Sequence, residues 1–124
     1  FLLNHLISEE LPVRGSDEVF AATVLLNGQP VPRETIKQVV TARRVAFPDI
    51  QVTVEDQVAE GDKVSTRRTW QATHQGPYRG IAATGKRVRW AQISIVRLVE
   101  GRIVEDWPVA DELSILQQLG HLPG

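Results

Sequence analysis

The chain has 124 residues, of which 42% are hydrophobic and 23% charged, and its formal net charge is −1. This length and composition predict one globular domain over residues 1–124, with room for a core and a pocket. The balanced charge gives no electrostatic basis for binding nucleic acid or an acidic membrane surface. The absence of cysteine excludes disulfides and thiolate metal sites. With no apolar segment of membrane-spanning length and no signal-peptide pattern, we expect no membrane association and a cytoplasmic protein.

The first half of the chain carries mostly helical spacing of apolar residues. The pattern predicts helices over residues 1–7 and 16–20, a strand over 21–26, a loop punctuated by Pro30 and Pro32, and an amphipathic helix over 33–47. The short strand is closed by Asn27-Gly28, a common turn pair, and the last helix is stopped by Pro48. Helices therefore dominate this half.

After Pro48 the apolar period changes from helical to two, which is typical of strands. The pattern predicts strands over 50–55 and 64–74, a glycine-containing loop over 76–86, a hairpin over 88–111 and a closing helix over 111–119. Gly120 is the residue expected just past the end of that helix. Helices followed by sequential strands with short turns predict an α+β fold with a mainly antiparallel sheet.

The hairpin over residues 88–111 is the stretch where we expect chemistry. Its first strand places one apolar set on a single face, interrupted by two polar residues: Val88, Trp90, Gln92, Ser94, Val96 and Leu98. The return strand delivers two adjacent carboxylates, Glu105 and Asp106, beside Trp107. A carboxylate in an apolar pocket has a raised pKa and becomes a better base near neutral pH. Either acidic residue is therefore a candidate general acid/base.

Strand parity leaves the choice between the two carboxylates open. If Glu100-Gly101 is a two-residue turn, Val96 lies opposite Glu105 and Ser94 opposite Trp107. Glu105 and Trp107 then face the cavity, and Asp106 does so only if a β-bulge intervenes. We therefore keep both acids as candidates.

Several segments resemble the SnoaL-like polyketide cyclase (ester cyclase) family of the ketosteroid-isomerase-like superfamily, whose fold is shared with nuclear transport factor proteins. The segments are FPDIQVTVEDQVAEGDKV, THQGPYRGIAATGKRV, and EGRIVEDW followed by LQQLG, and the similarity covers roughly residues 33–120. The resemblance implies a cone-shaped, curved antiparallel β-sheet wrapped around an apolar cavity, with helices packed on its concave side.

The resemblance also implies an activity. Members close the last ring of aromatic polyketides by an intramolecular aldol reaction without metal or cofactor, using an aspartate of the final strand as acid/base. A Gln and a His of the preceding strand assist; Gln92 occupies the first position and Ser94 the second. Asp106 lies in the family's Asp-Trp-Pro setting, although an ungapped match from Gly101 onward puts the family aspartate at Pro108.

The aromatic and polar residues of the hairpin predict a small hydrophobic, oxygenated ligand. Trp90 and Trp107 are expected to supply flat apolar walls, and Gln92 and Ser94 polar contacts to substrate oxygens. The resemblance implies that no cofactor is needed. We also expect no metal, since the three histidines lie too far apart in sequence to form a ligand pattern.

Three further candidates have a structural and a functional interpretation. His74 either positions the following loop by a hydrogen bond or transfers protons. Asp111 either caps the last helix or takes part in catalysis. Arg67 and Arg68 are adjacent on a strand, so one must face each side of the sheet.

Two alternative functions stay open beside an acid/base enzyme of the cyclase, isomerase or hydroxylation type. An epoxide-hydrolase-like enzyme requires an Asp-Arg-Asp arrangement, for which Asp106, one of the two arginines and Asp111 are candidates. A non-catalytic binding module requires none of these. A buried carboxylate with a shifted pKa distinguishes the acid/base enzyme from the binding module, and a buried arginine beside it favours the hydrolase.

The other face of the first hairpin strand predicts assembly. Ala91, Ile93 and Ile95 form an apolar set between Arg89 and Arg97. Exposed apolar patches of this kind usually mark an interface. We therefore expect a homodimer formed through the outer face of the sheet.

Overall fold

The computed structural model describes residues 19–121. The helix predicted over 1–7 and nearly all of the one over 16–20 lie outside these residues. The described elements are β1 (Phe20–Leu26), β2 (Gln29–Pro32), α1 (Arg33–Ala46), β3 (Gln51–Glu60), β4 (Lys63–Thr73), β5 (Arg87–Val99), β6 (Arg102–Ala110) and α2 (Glu112–Gln118). In this part of the chain no helix is long and apolar enough to cross a membrane.

The six strands form one curved sheet that does not close on itself, in the order β2-β1-β6-β5-β4-β3. The predicted α+β fold with a curved sheet is therefore confirmed. The sheet is mixed, because β1 runs parallel to β6 while the other neighbours are antiparallel. The prediction of a loop around Pro30 and Pro32 is wrong, since these residues belong to β2. Proline is tolerated there because β2 is an edge strand and needs no further ladder donors.

Helix α1 is the element that faces the concave side of the sheet. Glu34 lies in its first turn and Arg43 and Arg44 in its last, in agreement with the helix dipole. Its Ile36 and Ala46 are buried, and the helix ends immediately before Phe47 and Pro48, as the sequence predicts. The amphipathic pattern therefore orients one stripe of α1 towards the concave side of the sheet, where the helix packs against β1 and β2.

The connection after β4 packs closely against the end of α1. Gln75 and Gly76 both donate their backbone N–H to the carbonyl oxygen of Ala46, at 2.9 and 3.2 Å. A side chain at Gly76 would place its Cβ 2.2 Å from the carbonyl oxygen of Val45. Glycine is required here because any larger residue would force the two backbones apart.

The strands β4 and β5 alternate between buried positions and more exposed ones along most of their length. In β4 every even-numbered residue is buried: Val64, Thr66, Arg68, Trp70 and Ala72. In β5, Val88, Trp90, Ser94 and Val96 are buried, whereas Ile93 and Ile95 are 49% and 44% exposed. The two faces predicted for the hairpin strand are therefore confirmed.

The hairpin between β5 and β6 contains a feature that reverses the parity of β6. Glu100 and Gly101 both have positive φ, 51° and 78°, as a two-residue turn of the I′ type requires. Leu98 pairs with Ile103, but its neighbour Arg97 pairs with Glu105, so β6 has an additional residue at this point. This β-bulge shifts the register by one residue for the rest of β6.

The pairing predicted without a bulge is therefore wrong. Val96 lies opposite Asp106 rather than Glu105, and Ser94 lies opposite Pro108 rather than Trp107. Because side chains alternate, the one-residue shift turns Asp106 and Pro108 towards the concave side and Glu105 and Trp107 away from it.

Helix α2 closes the described part of the chain. The carboxylate of Asp111 accepts a hydrogen bond from the backbone N–H of Ser114 at 3.1 Å, so Asp111 is the N-cap. Gly120 has a φ of 78°, the left-handed conformation typical just after a helix. Ile115 and Leu119 of this segment pack in one core cluster with Phe47, Trp70 and Trp90, among others.

Candidate active site

A cavity of about 310 Å³ lies between α1 and the concave face of the sheet. We call it the Asp106 cavity. Its apolar walls come from α1, β1, β4 and β6: Phe20, Leu26, Ile36, Val39, Val40, Trp70 and Pro108. Its polar lining consists of Asn27, Arg43, Arg68, Gln92, Ser94 and Asp106. A mostly apolar enclosure with a few converging polar groups is the usual form of a small-molecule site.

Asp106 is held in this cavity by strands on both sides. Its backbone pairs with Val96 of β5 and with Leu26 of β1, and its carbonyl oxygen accepts a hydrogen bond from Asn27 N at 3.0 Å. Its carboxylate oxygen Oδ1 is buried and has no hydrogen-bond partner among the described residues. An acceptor in this state carries a desolvation cost that a ligand donor or a proton would relieve.

Burial raises the pKa of Asp106 from 3.8 to about 6, against the smaller opposing effect of the positive charges of Arg68 and Arg43. Removal from water disfavours the charged carboxylate, and the nearby cations only partly compensate for this. A group with a pKa in this range is mostly ionised at neutral pH and still accepts a proton readily. These are the properties of a general base that must also return the proton.

Arg68 places a buried cation beside this carboxylate. Its side chain is 8% exposed, and Nη1 donates to Oε1 of Gln92 at 2.9 Å and to Oγ of Ser94 at 3.2 Å. Burial lowers the pKa of Arg68 and the charge of Asp106 raises it. Since an arginine keeps its proton in proteins, Arg68 supplies a fixed positive charge to the cavity.

The amide of Gln92 is oriented by two donors. Its Oε1 accepts both from Arg68 and from Nε1 of Trp70, the latter at 3.1 Å. Because two N–H groups point at the same atom, that atom must be the amide oxygen. The NH₂ group of Gln92 is then the end available to donate to a ligand oxygen.

A second cavity, of about 420 Å³, lies next to the first and shares part of its lining. We call it the aromatic cavity, because its walls include Phe47, Trp70, Tyr78 and Trp90. The rings of Trp70 and Trp90 are stacked, with 6.1 Å between centroids and 6° between planes. Arg79 and Glu112, 2.5 Å apart, form an exposed ion pair that also lines it. The predicted site residue Trp90 therefore lies in this cavity, outside the lining of the first.

The cavity positions predicted for Glu105 and Trp107 are wrong. The bulge turns both to the outer face, where Glu105 accepts hydrogen bonds from Nε of Arg97 and, at 3.3 Å, from Nε1 of Trp107. The bond from Arg97 lowers the pKa of Glu105, the reverse of what a base needs. Trp107 is 43% exposed and its ring covers the turn at Gly28.

His74 is completely buried but is not among the residues that line either cavity. Its Nδ1 lies 2.9 Å from Oγ1 of Thr84 and accepts from the backbone N–H of Thr84 at 3.2 Å. Its own backbone bonds to Lys86 and Gly85 across the loop, at 2.9 Å each. These contacts favour the interpretation in which His74 positions the loop over that in which it transfers protons.

The structure does not assemble an Asp-Arg-Asp set from the predicted residues. Asp111 caps α2, and Arg67 points outward to an ion pair with Asp56 at 2.5 Å. Of the predicted set, only Arg68 lies beside Asp106. In the described part of the chain, no group of three or more His, Asp or Glu residues is arranged to hold a metal ion.

Sequence reasoning did not single out Arg43 and left the choice between Arg67 and Arg68 open. Arg68 shares its parity with Val64, Trp70 and Ala72, a signal that would have assigned it to the inner face. Arg43 continues the helical spacing of Ile36, Val39 and Val40, which would have placed it on the inward stripe of α1. Trp70 has the same parity as Arg68, and it is buried and lines both cavities.

The fold and this cavity define a class of α+β proteins that enclose a small molecule within a curved sheet. Within this class, the sequence model of the SnoaL-like polyketide cyclase family matches residues 8–119, and the chain belongs to that family. No curated protein matches the chain.

Solved structures from Streptomyces share the fold. TsrD from Streptomyces laurentii is 27% identical with a TM-score of 0.87, over 98% of this chain and 93% of that one. IdmH from Streptomyces antibioticus, a proposed polyketide cyclase, is 29% identical with a TM-score of 0.82, over 96% of both chains. AclR from Streptomyces galilaeus, a proposed hydroxylase, is 28% identical with a TM-score of 0.81, over 99% of this chain and 87% of that one.

We predict that His74→Ala loosens the loop that follows β4. Removal of the imidazole breaks the contacts to Thr84 and leaves a cavity beside Phe47. Amide hydrogen exchange of residues 76–86 should therefore accelerate, and the protein should lose about 2–4 kcal/mol of unfolding free energy. Gln75→Ala, an exposed neighbouring substitution, is the control. Unchanged exchange in the His74 variant would contradict the positioning role.

A second prediction concerns the cost of burying Asp106. In the unfolded chain its pKa is ordinary, so raising the pH from 4 towards 8 destabilises the native state, in which ionisation is unfavourable. Asp106→Asn removes this titration. Relative to wild type, the variant should gain at most about 3 kcal/mol in unfolding free energy between pH 4 and pH 8.

Chemical denaturation at several pH values measures this difference. Glu60→Gln, which removes an exposed carboxylate of β3, is the matched control. A stability difference between wild type and Asp106→Asn that stays constant with pH would show that the carboxylate is not desolvated in solution.

Proposed function

We propose that this protein is a cofactor-independent enzyme of the SnoaL-like polyketide cyclase type, in which Asp106 is the general acid/base. The substrate class is a small, hydrophobic, oxygenated molecule of polyketide-like or steroid-like character, and the reaction is an aldol-type cyclisation or a proton transfer. One observation carries the proposal: the carboxylate of Asp106 is buried in a mostly apolar cavity, with Oδ1 unpartnered among the described residues and its pKa raised to about 6.

The polar groups around Asp106 support a proton abstraction next to a carbonyl. The carboxylate takes the α-proton, and the C–H electron pair delocalises onto the carbonyl oxygen as an enolate. The NH₂ of Gln92 is the donor best placed to meet that oxygen, and Arg68 adds a fixed positive charge. In an aldol step the enolate carbon bonds to a second carbonyl, whose oxygen takes the proton back from Asp106.

Two alternatives are weaker on these observations. Arg68 is the buried arginine expected of an epoxide-hydrolase-like site, yet Asp106 is the one carboxylate among the described residues that line its cavity. A simple binding module has no need of a desolvated carboxylate, which costs stability. Hydroxylation, the role proposed for AclR, uses the same fold and stays an alternative within the enzyme class.

We predict that α-proton exchange reports this activity without knowledge of the native substrate. The bicyclic ketone 2-tetralone has acidic α-protons, and their replacement by deuterium in D₂O is followed by NMR. Wild type should accelerate the exchange, with a rate that rises with pH through about 6 and then levels, because the ionised carboxylate is the base. Asp106→Asn should lose on the order of 10²–10⁴ in rate.

Glu105→Gln is the matched control, since it changes the neighbouring carboxylate on the outer face. It should retain the exchange rate of wild type. If Asp106→Asn and wild type exchange 2-tetralone equally fast, Asp106 is not the base. If wild type binds the ketone without exchanging it, the binding-module interpretation replaces the enzyme.

We propose in addition that the protein is a homodimer through the outer face of the sheet. Ile95 of β5 lies between Ser65 and Trp107 on the neighbouring strands, and Ile93 lies beside Val109. Their exposures are 44% for Ile95, 43% for Trp107, 49% for Ile93 and 72% for Val109. A contiguous apolar patch of this kind is costly in water and is relieved when a second copy covers it.

Light scattering at micromolar concentration tests this assembly. Wild type should have the mass of a dimer, and Ile95→Lys should shift it to a monomer, because two buried ammonium groups would face each other across the two-fold axis. Val45→Lys introduces the same charge at an exposed apolar position of α1 and should leave the dimer intact. A monomeric wild type would contradict the proposal.

A further inference from the structure

Three side chains form a continuous bridge from helix α1 to the sheet. The guanidinium carbon of Arg43 lies 4.6 Å from the ring centre of Trp70, within the range of a cation–π contact. Trp70 in turn donates its Nε1–H to Oε1 of Gln92 at 3.1 Å. The bridge therefore runs from α1 through β4 to β5, across the concave side of the molecule.

This bridge lies at the boundary between the two cavities. Arg43, Trp70 and Gln92 line both the Asp106 cavity and the aromatic cavity, together with Val39. Asp106 and Arg68 line the first cavity, whereas Phe47, Tyr78 and Trp90 line the second. The three bridging side chains thus lie between Asp106 and the aromatic rings of the second cavity.

Two members of the bridge are fixed by contacts that do not involve Arg43. Trp70 is 4% exposed and stacks on Trp90, and Gln92 is oriented by two hydrogen bonds. Arg43 supplies the long, unbranched side chain, and its truncation would leave the two others in place. Arg43 is therefore the member of the bridge that can be shortened while the contact between Trp70 and Gln92 stays in place.

The volumes of the two cavities indicate the size of ligand that each can hold. Ligand sites measure roughly 300–1,000 Å³, so the Asp106 cavity at about 310 Å³ is at the lower limit and suits a compact ligand. Joined to the aromatic cavity of about 420 Å³, it would reach the middle of this range. A planar polycyclic molecule would then extend from Asp106 along the faces of Trp70 and Trp90.

We propose that Arg43 determines which members of the proposed substrate class bind, restricting the Asp106 cavity to the compact ones by separating it from the aromatic cavity. The inference rests on the proposed function only in taking the cavity beside Asp106 as the substrate site. Binding is measured without turnover, so a failure of the catalytic proposal and a failure of this one are distinguishable.

The test compares a compact and an extended planar ligand, naphthol and naphthacenequinone, by titration calorimetry. Wild type should bind naphthol at least about tenfold more tightly than naphthacenequinone. Arg43→Ala should gain at least about tenfold in affinity for naphthacenequinone relative to naphthol, since the added rings enter an apolar space. Arg43→Ser is a second truncation with the same expected result, should the alanine variant fold poorly.

Two controls separate size from charge and from general effects on the helix. Arg43→Met keeps a long side chain without its charge and should keep the preference of wild type for naphthol over naphthacenequinone. Arg44→Ala removes the neighbouring arginine, which does not line either cavity, and should do the same. If Arg43→Met gains as much affinity for naphthacenequinone as Arg43→Ala, the effect comes from the charge of Arg43. If neither truncated variant gains affinity for naphthacenequinone, Arg43 does not divide the cavities. Either result overturns the proposal.

Discussion

The β-bulge in β6 is the constraint on which the arrangement of the site depends. In a regular hairpin, the turn at Glu100-Gly101 would place Glu105 and Trp107 on the concave side. The additional residue reverses this parity, so that Asp106 is carried into the cavity and Glu105 joins Arg97 on the surface. Bulges are typical of positions where a sheet must redirect a side chain near a functional site. The parallel pairing with β1 then holds the redirected segment from its other side.

The carboxylate brought inside is balanced by a network rather than by one partner. The positive charge of Arg68 acts on Asp106, but its Nη1 donates hydrogen bonds to Gln92 and Ser94. Arg43 contributes charge across the cavity while stacking on Trp70. As a result the pKa of Asp106 stays raised, which a direct, bidentate ion pair would prevent. The protein thereby keeps the desolvated carboxylate of Asp106 at a cost in stability, a feature that is common in active sites.

The position of this aspartate also explains how the chain differs from the family pattern it resembles. An ungapped match places the family's aspartate at Pro108, two residues from Asp106. Because strand side chains alternate with period two, both positions face the cavity, and both line it. A shift of two residues therefore preserves the side of the sheet and moves the carboxylate about 7 Å along the strand, from opposite Ser94 to opposite Val96. Ser94, at the family's His position, accepts its hydrogen bond from Arg68.

Local pattern by itself determined the described helices, five of the six described strands and the inner face of β5, because each depends on spacing and propensity within a few residues. It offered a capping role for Asp111 beside a catalytic one, and the hydrogen bond from Ser114 decided for the cap. The inward direction of Arg68 and Arg43 was also present in the parity of β4 and the period of α1. Only the tertiary structure decided which carboxylate enters the cavity, because a bulge depends on how β6 fits between β5 and β1 rather than on the residues of the turn. The same holds for the parallel β1–β6 pair and for the contact of Arg43 with Trp70, which join segments far apart in sequence through packing that no local period encodes.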